Sequence, residues 1–180
     1  MTTPFFTRRR LLHTGLAAAA LGHPFLHLRA QPSATRDPFM LGVASGAPRP
    51  DGMVLWTRLA PEPVQGGGMG DAPVAVQWEV AEDERFRRIV TKGIASAEAD
   101  LAHSVHVEVQ GLRPGRPYWY RFTAAGVRSP VGRTRTAPAD DDAAVQPPGF
   151  AFASWQQYEG GYYAAYRDMA AQAHHLVVHL

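Results

Sequence analysis

The sequence predicts a mainly β protein, and three observations carry that prediction. Through most of residues 37–138 apolar and polar residues alternate at period two, which places them on opposite faces of extended strands. Proline- and glycine-rich punctuation separates these runs at the short intervals of a two-sheet domain. In the segment GLRPGRPYWYRF, Leu112, Pro114 and Tyr118 have the spacing of a tyrosine corner, in which a tyrosine opening a late strand returns its hydroxyl to the backbone just upstream. Together these predict an immunoglobulin- or fibronectin type III-like β-sandwich over residues 37–138.

Ahead of it, residues 1–30 read as a twin-arginine signal peptide. Arg8, Arg9 and Arg10 precede a weakly apolar run, Thr14 to Leu28, which Gly15, Gly22, His23 and Pro24 interrupt, and the whole segment holds no acid. That combination marks an export signal with cleavage near Ala30. Its uninterrupted apolar piece falls well short of the ~20 residues a spanning helix needs. The mature chain is therefore expected to have no membrane span, to meet the twin-arginine translocation machinery, and to be periplasmic or secreted.

Within the sandwich, Leu41 to Ser45 and Met53 to Leu59 flank the reversal Pro48, Arg49, Pro50, Asp51, Gly52, whose residues suit a turn. Gly66 to Gly70 reads as a plain loop, because a phosphate cradle would need a following helix and a GK[ST] ending. Val74 to Val80, Phe86 to Lys92, Ser104 to Val109, Tyr118 to Phe122 and Val131 to Thr136 bring the total to about seven strands, as a sandwich requires. His103 and His106 stand three apart at the start of a strand and so face opposite ways, which favours packing over metal ligation.

Residues 139–149 are a linker, within the run Ala137 to Gly149 that carries Pro138, Asp140, Asp141, Asp142, Pro147 and Pro148; the three aspartates read as solvated. Residues 150–180 are expected to form a buried strand, a glycine turn at Gly160 and Gly161, a helix and a second strand. Phe150 and Phe152 supply the first strand, and Leu176 to Leu180 the second, with His175 and His179 on one of its faces. Tyr162, Tyr163, Tyr166, Met169, Ala170 and Ala173 supply one helix face. Tyr158, Tyr162 and Tyr163 read as core and lid packing.

The chain has 180 residues, 46% of them hydrophobic, enough for one ordinary core. Its basic pI of about 9.2 comes from the amino terminus. Of 18 Lys and Arg, four lie in residues 1–30, so the remaining 14 face 16 acids and the body is mildly acidic at −2. No nucleic-acid-binding module is expected on that balance. Cysteine is absent, which excludes a disulfide frame and a thiolate metal site.

The succession DPFMLGVASGAPRPDGMVLWTRLAP, VQWEVAEDERF, AHSVHVEVQGLRPGRPYWYRF, VGRTRTAP and FAFASWQQYEGGYYAAYRDMA resembles the amino-terminal third of the alkaline phosphatase D (PhoD) family. The resemblance covers almost everything from Asp37 to Leu180. It implies that residues 150–180 are the first β-α-β piece of a truncated α/β metallophosphatase domain. For the full-length parent it implies iron with calcium, and hydrolysis of phosphate mono- and diesters by a metal-bound hydroxide. The family's Ser-Cys-Gln motif, whose cysteine binds metal, is matched here by Ser154, Trp155 and Gln156. His175 stands where members commonly have a ligand aspartate, and the family's Gly-Asp-x-x-Tyr would follow Leu180. No catalytic or metal-binding residue is therefore assigned. The expected reading is an inactive amino-terminal fragment of a phosphoester hydrolase, the alternatives being a non-catalytic exported binding module or a decayed gene product.

The export reading is testable directly. Replacing Arg8 and Arg9 by lysine should leave precursor in the cytoplasm, as judged by cell fractionation, whereas unchanged processing of that double variant would reject the twin-arginine route.

Overall fold

The computed structural model describes residues 36–143, 147–157, 160–172 and 174–180. The export segment with Arg8 and Arg9, and Tyr158 of the carboxyl-terminal loop, lie outside the described residues. Mainly β architecture is what the structure shows. The strands β1 (Val43–Arg49), β2 (Gly52–Arg58), β3 (Val74–Ala81), β4 (Ile89–Ala97), β5 (Ser104–Val109), β6 (Pro117–Ala124), β7 (Val127–Arg128) and β8 (Gly132–Arg135) are followed by β9 (Phe150–Ala153), the helix α1 (Ala164–Ala171) and β10 (Leu176–His179).

The first eight strands form two antiparallel sheets. One has the order β1-β2-β5, the other β4-β3-β6-β7, with β8 also paired to β6. Period two decides what each buries. Met53, Leu55 and Thr57 of β2 lie opposite Val109, Val107 and Val105 of β5, and all six are buried. In the second sheet Val76 and Val80 lie opposite Ala124 and Tyr120, and these too are buried, with Tyr118 and Phe122 beside them on β6. The two buried sets belong to one apolar cluster, so each sheet covers the inner face of the other. Arg121, on the half-exposed face of β6, bonds Glu79 at 2.7 Å and lies over the Phe86 ring at 4.0 Å.

Two boundaries differ from the pattern-based expectation, each for a local reason. The predicted strand Phe86 to Lys92 begins instead at Ile89. Asp83 accepts the backbone N–H groups of Arg85, Arg87 and Arg88 at 3.1, 3.2 and 2.9 Å, winding residues 83–88 into a turn with Phe86 at φ 54°. Desolvation opposes ionisation of this carboxyl, yet the backbone bonds and the nearby Arg88 charge outweigh it and hold Asp83 below the usual carboxylate range. The predicted strand Leu41 to Ser45 is displaced to Val43–Arg49, because Leu41 belongs to the turn closed by Gly42 N–H on Phe39 O at 2.8 Å.

The tyrosine corner is present. Tyr118 is buried, and its hydroxyl accepts the N–H of Arg113 at 2.9 Å. Thr136 fixes the same loop from the other side, its hydroxyl accepting from Arg116 N–H at 3.0 Å and donating to Arg113 O at 2.7 Å. A glycine is required close by: a Cβ on Gly132 would stand 2.2 Å from the Tyr120 ring, so β8 pairs with this part of β6 only without a side chain there. Burial pushes the Tyr120 hydroxyl up, opposed by its hydrogen bond with Ser45.

The carboxyl-terminal piece is a strand–helix–strand unit in which β9 and β10 pair in parallel, Phe150 opposite Leu176 and Ala153 opposite His179. Its first strand is not buried as expected, since Phe150 and Phe152 are 63% and 67% exposed. Among the described residues each of these strands has only the other as strand partner, and the contact of α1 with β10 through Tyr166 and His179 leaves Phe150 and Phe152 exposed. The helix begins two residues later than the aromatic spacing implied, because Tyr163 adopts φ 54° at its N-cap, a conformation that cannot continue a right-handed helix.

If the tyrosine corner locks the β5–β6 loop, Tyr118→Phe should keep the fold and lose about 1 kcal/mol, the worth of one hydrogen bond plus part of an unmet donor. Urea denaturation measures this as a lower midpoint with unchanged slope; an unchanged midpoint would show that the bond contributes nothing.

Candidate functional site

The place where the sequence points to chemistry is the loop leaving β9, at the carboxyl end of a parallel pair. Phe150 to Ala153 form the strand because their apolar run stops at the polar Ser154, Gln156 and Gln157. Trp155 follows at φ 61° and is 97% exposed. A bulky residue in the left-handed region is strained, and a solvent-exposed indole gains no packing to offset it. The loop's course thus sets this backbone angle against the preference of the residue that occupies it.

The histidines of the piece have assigned contacts. His175 precedes β10 instead of lying within it; its Nδ1 accepts the Gly149 N–H at 3.1 Å, while its own N–H donates to Gly149 O at 2.9 Å. His179 ends β10, with its ring stacked on Tyr166 at 6.3 Å and 18°. These bonds join the two strands at one end and the helix to β10 at the other. The Tyr166 hydroxyl is buried without a hydrogen-bond partner among the described residues. Tyr162, expected to pack, is 93% exposed, and Tyr163 is 36% exposed.

The donor set does not fit a metal. Indole presents an N–H and no lone pair, so Trp155 cannot stand in for a thiolate. His175 has one ring nitrogen already used by the backbone. No three His, Asp or Glu side chains are grouped to hold an ion among the described residues. In the two-sheet region His103 is 5% exposed and lies in the turn ahead of β5 at φ 56°, not at the start of the strand, so strand alternation does not apply to it; its Nε2 lies 3.3 Å from Ala72 O, whereas His106 is exposed on β5. Asp140, Asp141 and Asp142 are exposed in the linker. No helix among the described residues is long and apolar enough to cross a membrane. Sequence reasoning missed the buried, unpartnered Tyr166 hydroxyl; its position on the helix face with Met169 signalled only packing.

Residues 26–138 match the model of the PhoD-like phosphatase N-terminal domain. The chain is 56% identical to alkaline phosphatase D of Bacillus subtilis (strain 168) over 153 residues, which is 85% of this chain and 26% of that protein. A solved structure of PhoD superposes with a TM-score of 0.77 at 55% identity, over 83% of this chain and 28% of the other. The chain thus spans about a quarter of the length of both relatives.

Because Trp155 combines left-handed backbone with full exposure, Trp155→Gly should stabilise the β9 loop by several tenths of a kcal/mol, the strain relief slightly exceeding glycine's greater unfolded-state entropy. Slower hydrogen exchange of the β9–β10 amides is the readout, and faster exchange would mean that the indole holds the loop.

Proposed function

Because the chain belongs to the PhoD-like phosphatase family, we propose that it is the amino-terminal part of an exported phosphoester hydrolase whose full-length parent acts on phosphate mono- and diesters. The observation that carries this reading is the 56% identity running through 85% of the chain. On this reading the two-sheet region is an immunoglobulin- or fibronectin type III-like sandwich, supported by the shared core and the bond from Arg113 N–H to Tyr118. The β9-α1-β10 piece is the opening of an α/β metallophosphatase domain, supported by its parallel pairing. Export by the twin-arginine route rests on the sequence pattern of residues 1–30: the arginines Arg8, Arg9 and Arg10, the weakly apolar run after them and the lack of acids.

No three His, Asp or Glu side chains among the described residues are grouped to hold a metal for such a reaction. Phosphoryl transfer needs cationic groups placed against the phosphoryl oxygens, and the β9 loop offers Ser154, an indole and two amides. The parent's iron and calcium would therefore need ligands from outside this chain. A second reading, a non-catalytic exported binding module or decayed product, is favoured by Trp155 at the thiolate position.

The purified 180-residue chain should show no hydrolysis of aryl phosphate mono- or diesters above a buffer blank and no stoichiometric iron or calcium. In a chain extended through a metallophosphatase core, Trp155→Cys should raise activity; in the unextended chain it should not. Turnover by the unextended chain would overturn the fragment reading, and an extended chain that stays inactive with cysteine restored would favour the binding module.

A further inference from the structure

At the amino ends of β9 and β10 lies a cleft of about 380 Å³, bounded by the edge strand β1 through Ser45, by β8 through Arg133 and Arg135, and by His174 and His175 ahead of β10. It sits at the opposite end of the parallel pair from the Trp155 loop, which four residues of strand separate from it by roughly 13 Å.

The charge of this cleft is one-sided. Arg133 and Arg135 are two apart on β8, so both side chains leave the same face of the strand, and both are exposed. The ion pairs among the described residues engage Arg36, Arg88, Arg113 and Arg121, and neither cleft arginine. No Asp or Glu is among the described residues that line the cleft, and Asp140 to Asp142 are not part of its wall.

His175 adds a donor of defined tautomer. Its Nδ1 accepts the Gly149 N–H, which leaves the ring proton of the neutral imidazole on Nε2. Paired guanidiniums present planar forks that match two oxygens of an oxyanion each. The ring N–H of His175, in the same lining, adds a third donor. No acid among the described lining residues competes for them.

We propose that this cleft binds a phosphate-class oxyanion, at a site separate from the loop at the carboxyl end of β9. Free inorganic phosphate and the phosphate group of a small monoester share the required chemistry. Binding of either needs no hydrolytic activity in this chain.

Inorganic phosphate titrated into the 180-residue chain, with ionic strength held constant by chloride, should shift the arginine side-chain N–H resonances and the Gly149 amide along one saturable curve. Arg133→Ala combined with Arg135→Ala should weaken that binding roughly tenfold or more, as loss of charge-assisted forks requires. The double lysine variant should recover only part of it, because an ammonium has no fork. Both arginines are exposed, so an unchanged thermal melt is expected of each variant and confirms that the comparison is between folded proteins. A parallel titration with glycerol phosphate separates the sources: equal affinity assigns the site to the phosphate group itself, and saturable binding of the ester alone assigns it to a phosphorylated molecule. Linear shifts that never saturate with either probe, or an affinity that the double alanine variant leaves intact, would overturn the proposal.

Discussion

The architecture turns on β6, and within β6 on the way Tyr118 is held at both ends. Its ring lies in the core with Tyr120 and Phe122, and its hydroxyl takes the N–H of Arg113 in the loop that leads into the strand. The strand pairs with β3 on one side and with β7 and β8 on the other. A slip of one residue would turn all three rings out to solvent and present Trp119, Arg121 and Thr123 to the core. The hydroxyl bond opposes that slip because it ties the inward-facing residue to a fixed point outside the strand. Between β7 and β8, Ser129 continues their pairing with β6: its hydroxyl accepts the Phe122 N–H at 2.9 Å and its own N–H donates to Phe122 O at 2.9 Å, so this inner donor is satisfied.

The sandwich region was legible in the sequence because alternation there has one cause. Each strand has a core face and an outer face, and Val105, Val107 and Val109 or Tyr118, Tyr120 and Phe122 report that directly. Legibility fails where a side chain bonds the backbone instead of packing. Asp83 draws three N–H groups into a turn and takes Phe86 out of the strand that its hydrophobicity suggested. The helix α1 starts late for a related reason, since Tyr163 holds a left-handed angle that the aromatic spacing does not encode.

The β9 loop was legible in a different sense. Trp155 was visible as a residue type, and its want of a lone pair for a metal followed from indole chemistry alone. What the residue type did not convey was its backbone. The φ of 61° at Trp155 is an angle set by the loop and borne by a side chain that gains no packing there. Strain of this kind, at a strand's carboxyl end, is a trace of a positional requirement.

The two halves also differ in what their apolar residues accomplish. In the sandwich, apolar area is removed from water by the facing sheet, and Leu55, Val76, Val80 and Phe122 are fully buried. In the carboxyl-terminal piece the same residue classes remain wet: Phe152 is 67% exposed, Val177 52% and Leu176 49%. Parallel pairs are ordinarily covered on both faces, and two short strands alone are marginal in water. The order of this piece therefore leans on polar contacts: the reciprocal bonds of His175 with Gly149 and the Leu180 N–H on Ala153 O. Hydrophobic pattern predicted burial there because it reports what a residue would gain from a covering layer. It does not report whether that layer is supplied by the same stretch of chain, and for Phe150, Phe152, Leu176 and Val177 the described residues leave much of the side chain exposed.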